Sequence, residues 1–563
     1  MSAFTTRPEL QGTFGMVAST HWLASAAGMA VLERGGNAFD AAVATGFTLQ
    51  VVEPHLNGPA GDLPVIFWSA ERGEPLVLCA QGVAPAAATI ERFHALGHEL
   101  IPGTGLLAAC VPGAFDGWLS MLRDFGTLRL EDVLPYAIGY ARDGYPVVDG
   151  MAMTIERTGE LLRAWPASAE LYLPVPAPGS RFRNPALAAT YERIVEESRG
   201  GSREQEIERA RDVFYRGFVA EAIDRFSAEQ GGLLRGDDLA AWEATIESPV
   251  TYEFRGRTVC KAGPWSQAPV FLQQLALLDG FPLEELTDAE RVHTITECAK
   301  LAFADREAFY GDVPDVPLEH LLSRAYNDER RALMSDDASR ELRPGGGRLP
   351  ELVAQSHEHE TTVGAGEPTR GDTVHLDVAD RFGNLVSATP SGGWLQSSPV
   401  LRELGWPLGT RAQMFWLEEG LPSSLRPGTR PRTTLSPTLV LRDGEPEVAL
   451  GTPGGDQQDQ WSLHAFLNHV VRAMNLQVAI EAPEHHTDHF PSSFFPRHAN
   501  PASLAVEARF DEATIAELRE RGHDVTVTPE WSLGRVSAVE RGSNGFLRAA
   551  ANPRGMQGYA LGR

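Results

Sequence analysis

Apolar and polar positions change rhythm several times along this chain, and each change predicts an element. Over 374–379, Val374, Leu376 and Val378 alternate with His375, Asp377 and Ala379. That period of two belongs to a strand with two different faces. Residues 380–384 supply a turn, with Gly383 free to take positive φ, and 385–389 resumes extended. Upstream, the spacing predicts a strand over 16–18 and an amphipathic helix over 21–34 closed by Gly35-Gly36. An alanine-rich helix follows over 38–52, stopped by Pro54. Strands are expected at 64–68, 76–80 and 251–259, and helices within 113–143, 208–230 and 268–278. A long helix covers 292–310, with Ala299, Ala302 and Phe303 on its apolar face.

Residues 336–370 carry no such period. Pro344-Gly345-Gly346-Gly347 and a His357-Glu358-His359-Glu360 run give them the composition of a flexible surface connection. Beyond it the pattern predicts strands at 435–441 and 447–450, a turn over 451–456 and a helix over 460–474. Three more strands fall at 504–508, 525–527 and 536–540. No repeat is visible. The chain reads as mixed α/β, strand-rich in its last third.

Composition narrows the classes. The 563 residues bury a sizeable core, and 43% hydrophobic with 22% charged residues is a soluble globular balance. A net charge of −26 argues against nucleic acid and anionic membrane as partners. No apolar run is long enough to span a bilayer and no signal pattern opens the chain, so a cytoplasmic location is expected. Cys79, Cys110, Cys260 and Cys298 lack metal or redox spacing and are expected as buried free thiols.

Several separate stretches resemble the γ-glutamyltransferase family of N-terminal-nucleophile hydrolases. They are Gly15-Met16-Val17-Ala18, Gly35-Gly36-Asn37-Ala38, Val52-Glu53-Pro54-His55, Ala84-Pro85, Val111-Pro112-Gly113, Thr373-Val374-His375 with Asp380 and Gly383-Asn384, Ser436-Pro437-Thr438 and Pro453-Gly454-Gly455. The resemblance implies an α/β (α+β) fold, a four-layer αββα sandwich, and a precursor that cuts itself before Thr373. The large fragment is then 1–372, ending in the connection over 336–372, and the small fragment 373–563, two chains of one interleaved domain. Asp372 and Thr373 form the cleavage site, with Thr361 and Thr362 next in line as attackers.

The residues supply a chemical reason. A threonine hydroxyl is a poor nucleophile until a base takes its proton, and a free α-amine on the same residue, with a pKa of roughly 7.7–8.0, can do so. The resemblance further implies that Gly454 and Gly455 offer backbone N–H groups to an oxyanion, worth ~3 kcal/mol per donor. It makes Thr389 the second hydroxyl that positions the nucleophile, with Ser391 as the competitor, and places Thr433 and Thr434 at the paired hydroxyls for a substrate carboxylate.

Two departures bear on the substrate. Gln81 stands where γ-glutamyl-directed members carry an arginine, and Phe415 and Trp416 stand where they carry acids. The loop 57–62 also lacks the family's glycine run. A zwitterionic head group left there would bury an unpartnered ammonium. A smaller or more apolar acyl group is expected, with Arg411, Arg430 or Arg432 available to a carboxylate. Three readings follow: a self-processing amide hydrolase of altered acyl specificity, an oxamate amidohydrolase-like or carbon–carbon hydrolase acting on an oxalyl-type substrate, and an unprocessed binding paralogue. The partners expected are a small-molecule amide or acyl substrate, the two fragments of the precursor, and a homodimer or higher assembly. No cofactor and no metal is expected: His357 and His359, and His485, His486 and His489 with Asp488, are read as ordinary polar clusters.

Overall fold

The strand that the alternation predicts forms over Leu376–Asp380, and both of its neighbours run antiparallel to it. The computed structural model describes residues 4–351, 353 and 372–563. The sheet holding that strand has the order Tyr559–Gly562, Gly15–Ser19, Leu376–Asp380, Leu385–Ala388, Leu63–Ser69, Glu74–Ala80, Thr245–Glu247. A second sheet has the order Leu10–Gly12, Leu547–Ala551, Ser537–Arg541, Glu445–Gly451, Thr438–Arg442, Arg257–Lys261, Val250–Phe254. Each sheet combines strands from both sides of residue 372.

The two faces of Leu376–Asp380 explain the layering. Val374, Leu376 and Val378 pack with Ala24, Val31, Ala42 and Phe47 of helices Trp22–Glu33 and Ala38–Val52. Ala379 turns the other way and joins Met16, Ile66 and Trp68 against Leu439, Ala449 and Val539 of the second sheet. That sheet's outer face packs on helices Pro269–Leu278, Asp288–Phe309 and Gln458–Val470. Each face thus finds an apolar partner, which gives the order helix, sheet, sheet, helix. This is the four-layer αββα sandwich.

The turn after the strand locks the layers together. The Asp380 carboxylate accepts the N–H groups of Phe382 and Asn384 at 2.9 and 3.0 Å and that of Ala38 at 2.8 Å. It therefore shapes the hairpin and places negative charge at the start of the Ala38–Val52 helix. Gly383 has φ +99, and a Cβ there would lie 2.4 Å from Arg541 Nη1.

The expected single strand over 251–259 is two strands, Val250–Phe254 and Arg257–Lys261, because Arg255 and Gly256 turn at φ 51 and 75. The strands Ser503–Glu507 and Asp524–Thr528 leave the main sheets and pair in parallel in a small sheet with His485–His486. Leu547–Ala551 and Tyr559–Gly562 are strands that the alanine- and glycine-rich sequence did not announce. All four cysteines are buried free thiols. No helix among the described residues is long and apolar enough to cross a membrane.

Candidate active site

Thr373 lies just ahead of the central strand and forms an antiparallel bridge with Ser391. Its Oγ1 lies 3.3 Å from Ser391 Oγ. The Ser391 hydroxyl donates to the carbonyl oxygen of Asp372 at 2.9 Å, and the Trp394 indole N–H donates to the same oxygen at 2.7 Å. Trp394 also donates to Leu56 O at 2.8 Å, so its N–H is shared between two carbonyls. The Asp372 carboxylate accepts the Thr373 N–H at 2.8 Å and pairs with the Arg535 guanidinium. The bond between Asp372 and Thr373 is thus held at its carbonyl, its N–H and the side chain before it.

Thr389 is placed elsewhere. Its Oγ1 meets His375 Nδ1 at 2.9 Å, while His375 Nε2 meets Asp377 Oδ1 at 2.9 Å. Ser387 and Ser537 donate to the two Asp377 oxygens, each at 2.8 Å. This polar network lies between the sheets under the Thr373 strand. Burial pushes the Asp377 carboxyl up, and these partners pull it back. It is Ser391 that the fold brings to Thr373, because the register bridges Ser391 to Thr373 and leaves Thr389 beside His375.

The loop Gly451 to Asp456 flanks this strand. A Cβ on Gly451 would lie 2.3 Å from His375 Cε1. Gly454 and Gly455 have φ +130 and +59, and a Cβ on Gly454 would lie 2.2 Å from the Trp461 ring. Their N–H groups donate to no acceptor among the described residues. Arg535 joins the loop to the bond above, since its backbone N–H donates to Thr452 Oγ1 at 3.0 Å. Gln267 ties Thr433 to the same loop: its N–H donates to Thr433 O at 2.8 Å and its side-chain amide to Asp456 O at 3.3 Å. Thr434 Oγ1 is buried with no partner among the described residues.

On the other flank, Asp62 gathers three groups. Arg411 Nε donates to it at 2.7 Å, Gln81 Nε2 at 3.2 Å and the Gly82 N–H at 3.4 Å. Arg411 and Asp62 are only 3% and 4% exposed. Asp62 also accepts the Ser391 N–H through its backbone carbonyl at 3.1 Å. A guanidinium thus stands beside Gln81 although position 81 carries none. The other arginines are committed: Arg430 pairs with Glu247 and Asp312, and Arg432 pairs with the buried Glu307.

Phe415 and Trp416 do not face an open acyl pocket. Phe415 packs with Phe93, Ile101 and Leu425, and Trp416 with Val353 and Leu421. The buried Arg497 donates to the carbonyls of Gln413 and Phe415 and stacks 4.4 Å over the Trp416 ring. These aromatics fill core space beside a cation already inside the protein.

The histidine clusters also rearrange. His357 and His359, like Thr361 and Thr362, lie outside the described residues. His489 spends both ring nitrogens on Glu341 O and the Ala502 N–H. His485 groups with His464 and Glu484, but the two rings stack 4.0 Å apart and 13° from parallel. Their lone pairs lie in separate near-parallel planes, a poor arrangement for converging on one ion. A cavity of about 190 Å³ beside them, lined by Val292, Ile295, Leu467 and Phe510, shares no residue with the Thr373 site.

The fold, the threonine-led strand and the glycine loop agree with one family profile. The profile described as Gamma-glutamyltranspeptidase matches residues 24–562. The chain belongs to the gamma-glutamyltranspeptidase family. Among its solved relatives, LmbA2991 in a threonine-to-alanine variant is 57% identical, with a TM-score of 0.96 and full coverage of both chains. The oxamate amidohydrolase proenzyme of Klebsiella pneumoniae is 34% identical over 96% of this chain and 97% of its own. The glutathione hydrolase-like YwrD proenzyme of Bacillus subtilis is 32% identical over 98% and 99%. As a gamma-glutamyltranspeptidase-family member the chain is an N-terminal-nucleophile-type enzyme, an amide-cleaving hydrolase or acyltransferase.

Sequence reasoning did not find Trp394, Arg535, Asp62 or Gln267. Trp394 and Arg535 stand 22 and 163 positions from Asp372. The one available signal was Asp62, which closes the loop whose departure from the family pattern was visible.

Proposed function

We propose that this chain is a precursor that cuts itself between Asp372 and Thr373, and that Thr373 then serves as nucleophile with its own α-amine as base. The carrying observation is the grip on the Asp372 carbonyl by Ser391 and Trp394, with the Thr373 hydroxyl beside Ser391. Attack of Thr373 Oγ1 on the Asp372 carbonyl carbon forms a C–O bond and breaks the C–N bond. The hydroxyl proton ends on the departing nitrogen. Two donors on that oxygen stabilise the charge it carries midway. Water then opens the ester, leaving an Asp372 carboxylate and a free amine and hydroxyl on Thr373.

Turnover repeats the chemistry on a substrate amide. Thr373 takes the acyl group, and the free N–H groups of Gly454 and Gly455 receive the oxyanion. Gln81, Phe415 and Trp416 provide neither ion for a γ-glutamyl head group, so the substrate carries a different, short acyl group. The relatives named for glutathione and for oxamate bracket the choice, and the head-group losses favour the oxamate side. The fragments are 1–372 and 373–563.

Denaturing electrophoresis of purified protein tests this. Two bands summing to the whole are expected, the smaller beginning Thr373-Val374-His375 on Edman degradation. A single uncut band after long incubation overturns the reading. With cut protein, oxamate is expected to release ammonia while γ-glutamyl-p-nitroanilide releases little nitroaniline.

A further inference from the structure

Asp372 is the first acyl group that Thr373 meets. In the ester formed during cutting, residue 372 is bound to Thr373 Oγ1 through its carbonyl carbon, and water removes it. The acyl-threonine of turnover is the same kind of ester opened the same way. The surroundings of Asp372 in the uncut chain are therefore a template for the acyl group the mature site accepts.

The template has a charged end. Among the described residues Asp372 is the only carboxylate paired with Arg535. The guanidinium side chain is 23% exposed, and its backbone is fixed to the glycine loop through Thr452. Once Asp372 departs, this cation stands beside Thr373 without its counter-ion. Glu53 is near but does not replace it. Its carboxyl is held by Thr20 and Gln557, and burial raises it, which disfavours the charged form. A partly buried arginine without a partner is a ready seat for a carboxylate.

We propose that Arg535 binds a carboxylate on the substrate's acyl group, with the acyl chain related in length to the Asp372 side chain. In Asp372 two carbons separate the carbonyl carbon from the carboxyl carbon, as in a succinyl group. Malonyl and oxalyl groups are shorter members of the same class. The substrate is then a mono-amide of a short dicarboxylic acid. This deepens the reading above and rests on it.

The test uses cut wild-type protein and calorimetric titration with succinate and the neutral butyramide, read beside turnover of succinyl- and butyryl-p-nitroanilide. Succinate should bind at least about 10-fold more tightly than butyramide, the scale of a charge-assisted bond. Arg535→Gln should abolish that preference, and Arg535→Lys should recover part of it. Should Arg535→Gln remain uncut, the wild-type ranking of succinate over butyramide still decides. Equal binding of the charged and uncharged chains, or no binding of succinate, overturns the proposal. So does a preference that survives Arg535→Gln and vanishes in Arg411→Gln, whose Nη2 has no partner among the described residues. Failure of the parent reading looks different: an uncut chain, or a small fragment with another first residue.

Discussion

Two arginines flank the Asp372–Thr373 bond, and they are held in opposite ways. Arg411 is sealed against Asp62, both ends almost without exposure. Arg535 pairs with Asp372 at 23% and 33% exposure, and under the proposed cut Asp372 becomes the free end of the large fragment. The first pair is a permanent strut. Gln81 and the Ser391 backbone also hang on Asp62, so the strut sets the bridge on which Thr373 lies. On the proposed cut, the second pair lasts only as long as the precursor does. Opposite charges at similar distance thus serve different ends, and burial with partner permanence, not residue type, tells them apart.

The largest effect expected is that of Thr373→Ala, which keeps residue 372 in place and leaves both arginines paired. Neither cutting nor turnover should be seen on a denaturing gel or in an amidase assay, and succinate should not bind. Next come the struts themselves. Asp62→Asn should lower unfolding free energy by about 3–5 kcal/mol in urea, because it strands a buried cation. Asp372→Asn should change it by about 1 kcal/mol or less, as for an exposed pair. Equal losses would erase the distinction drawn between the two flanks.

Trp394→Phe removes one of two donors to the Asp372 carbonyl without altering either arginine. Cutting, followed as the decay of the precursor band, should slow by about 10²-fold. Ser391→Ala should act similarly and Ser391→Thr should recover. An unchanged rate in Trp394→Phe would show that its bond to Leu56 is the one that matters.

The smallest effect belongs to Glu53, on the Arg535 flank. Its carboxyl is raised from 4.5 to about 7, so the folded protein holds a proton that the unfolded chain releases. Wild-type stability therefore falls as pH rises from about 4.5 to 7 and the loss is complete above that window. Glu53→Gln lacks this loss. Its melting midpoint relative to wild type should rise by about 2 °C between pH 4.5 and 8. A difference independent of pH would mean that Glu53 is ionised throughout.

Much of the fold was legible because local period and burial agree. The helix Ala38–Val52 follows its predicted bounds, and the two-faced strand at Leu376–Asp380 has the partners its alternation demands. The hairpin at Arg255-Gly256 was missed because arginine seldom turns the chain with positive φ. At the site, Thr373 and the glycine pair were visible as sequence landmarks. Ser391 was distinguishable from Thr389 only in three dimensions, where the register sets Ser391 against Thr373 and Thr389 against His375. Trp394 and Arg535 reach Asp372 from distant segments, and no local pattern carries that information.

The sheet order has a consequence for the cut protein's lifetime. Gly15–Ser19 is hydrogen-bonded on one side to Tyr559–Gly562 and on the other to Leu376–Asp380. On the proposed cut, a strand of the large fragment is clasped by two strands of the small one. Breaking a single peptide bond therefore frees no piece of the molecule, yet it changes what unfolding means. Before the break, refolding is a private matter for one chain; after it, two molecules must find each other, and recovery from denaturant becomes dependent on concentration.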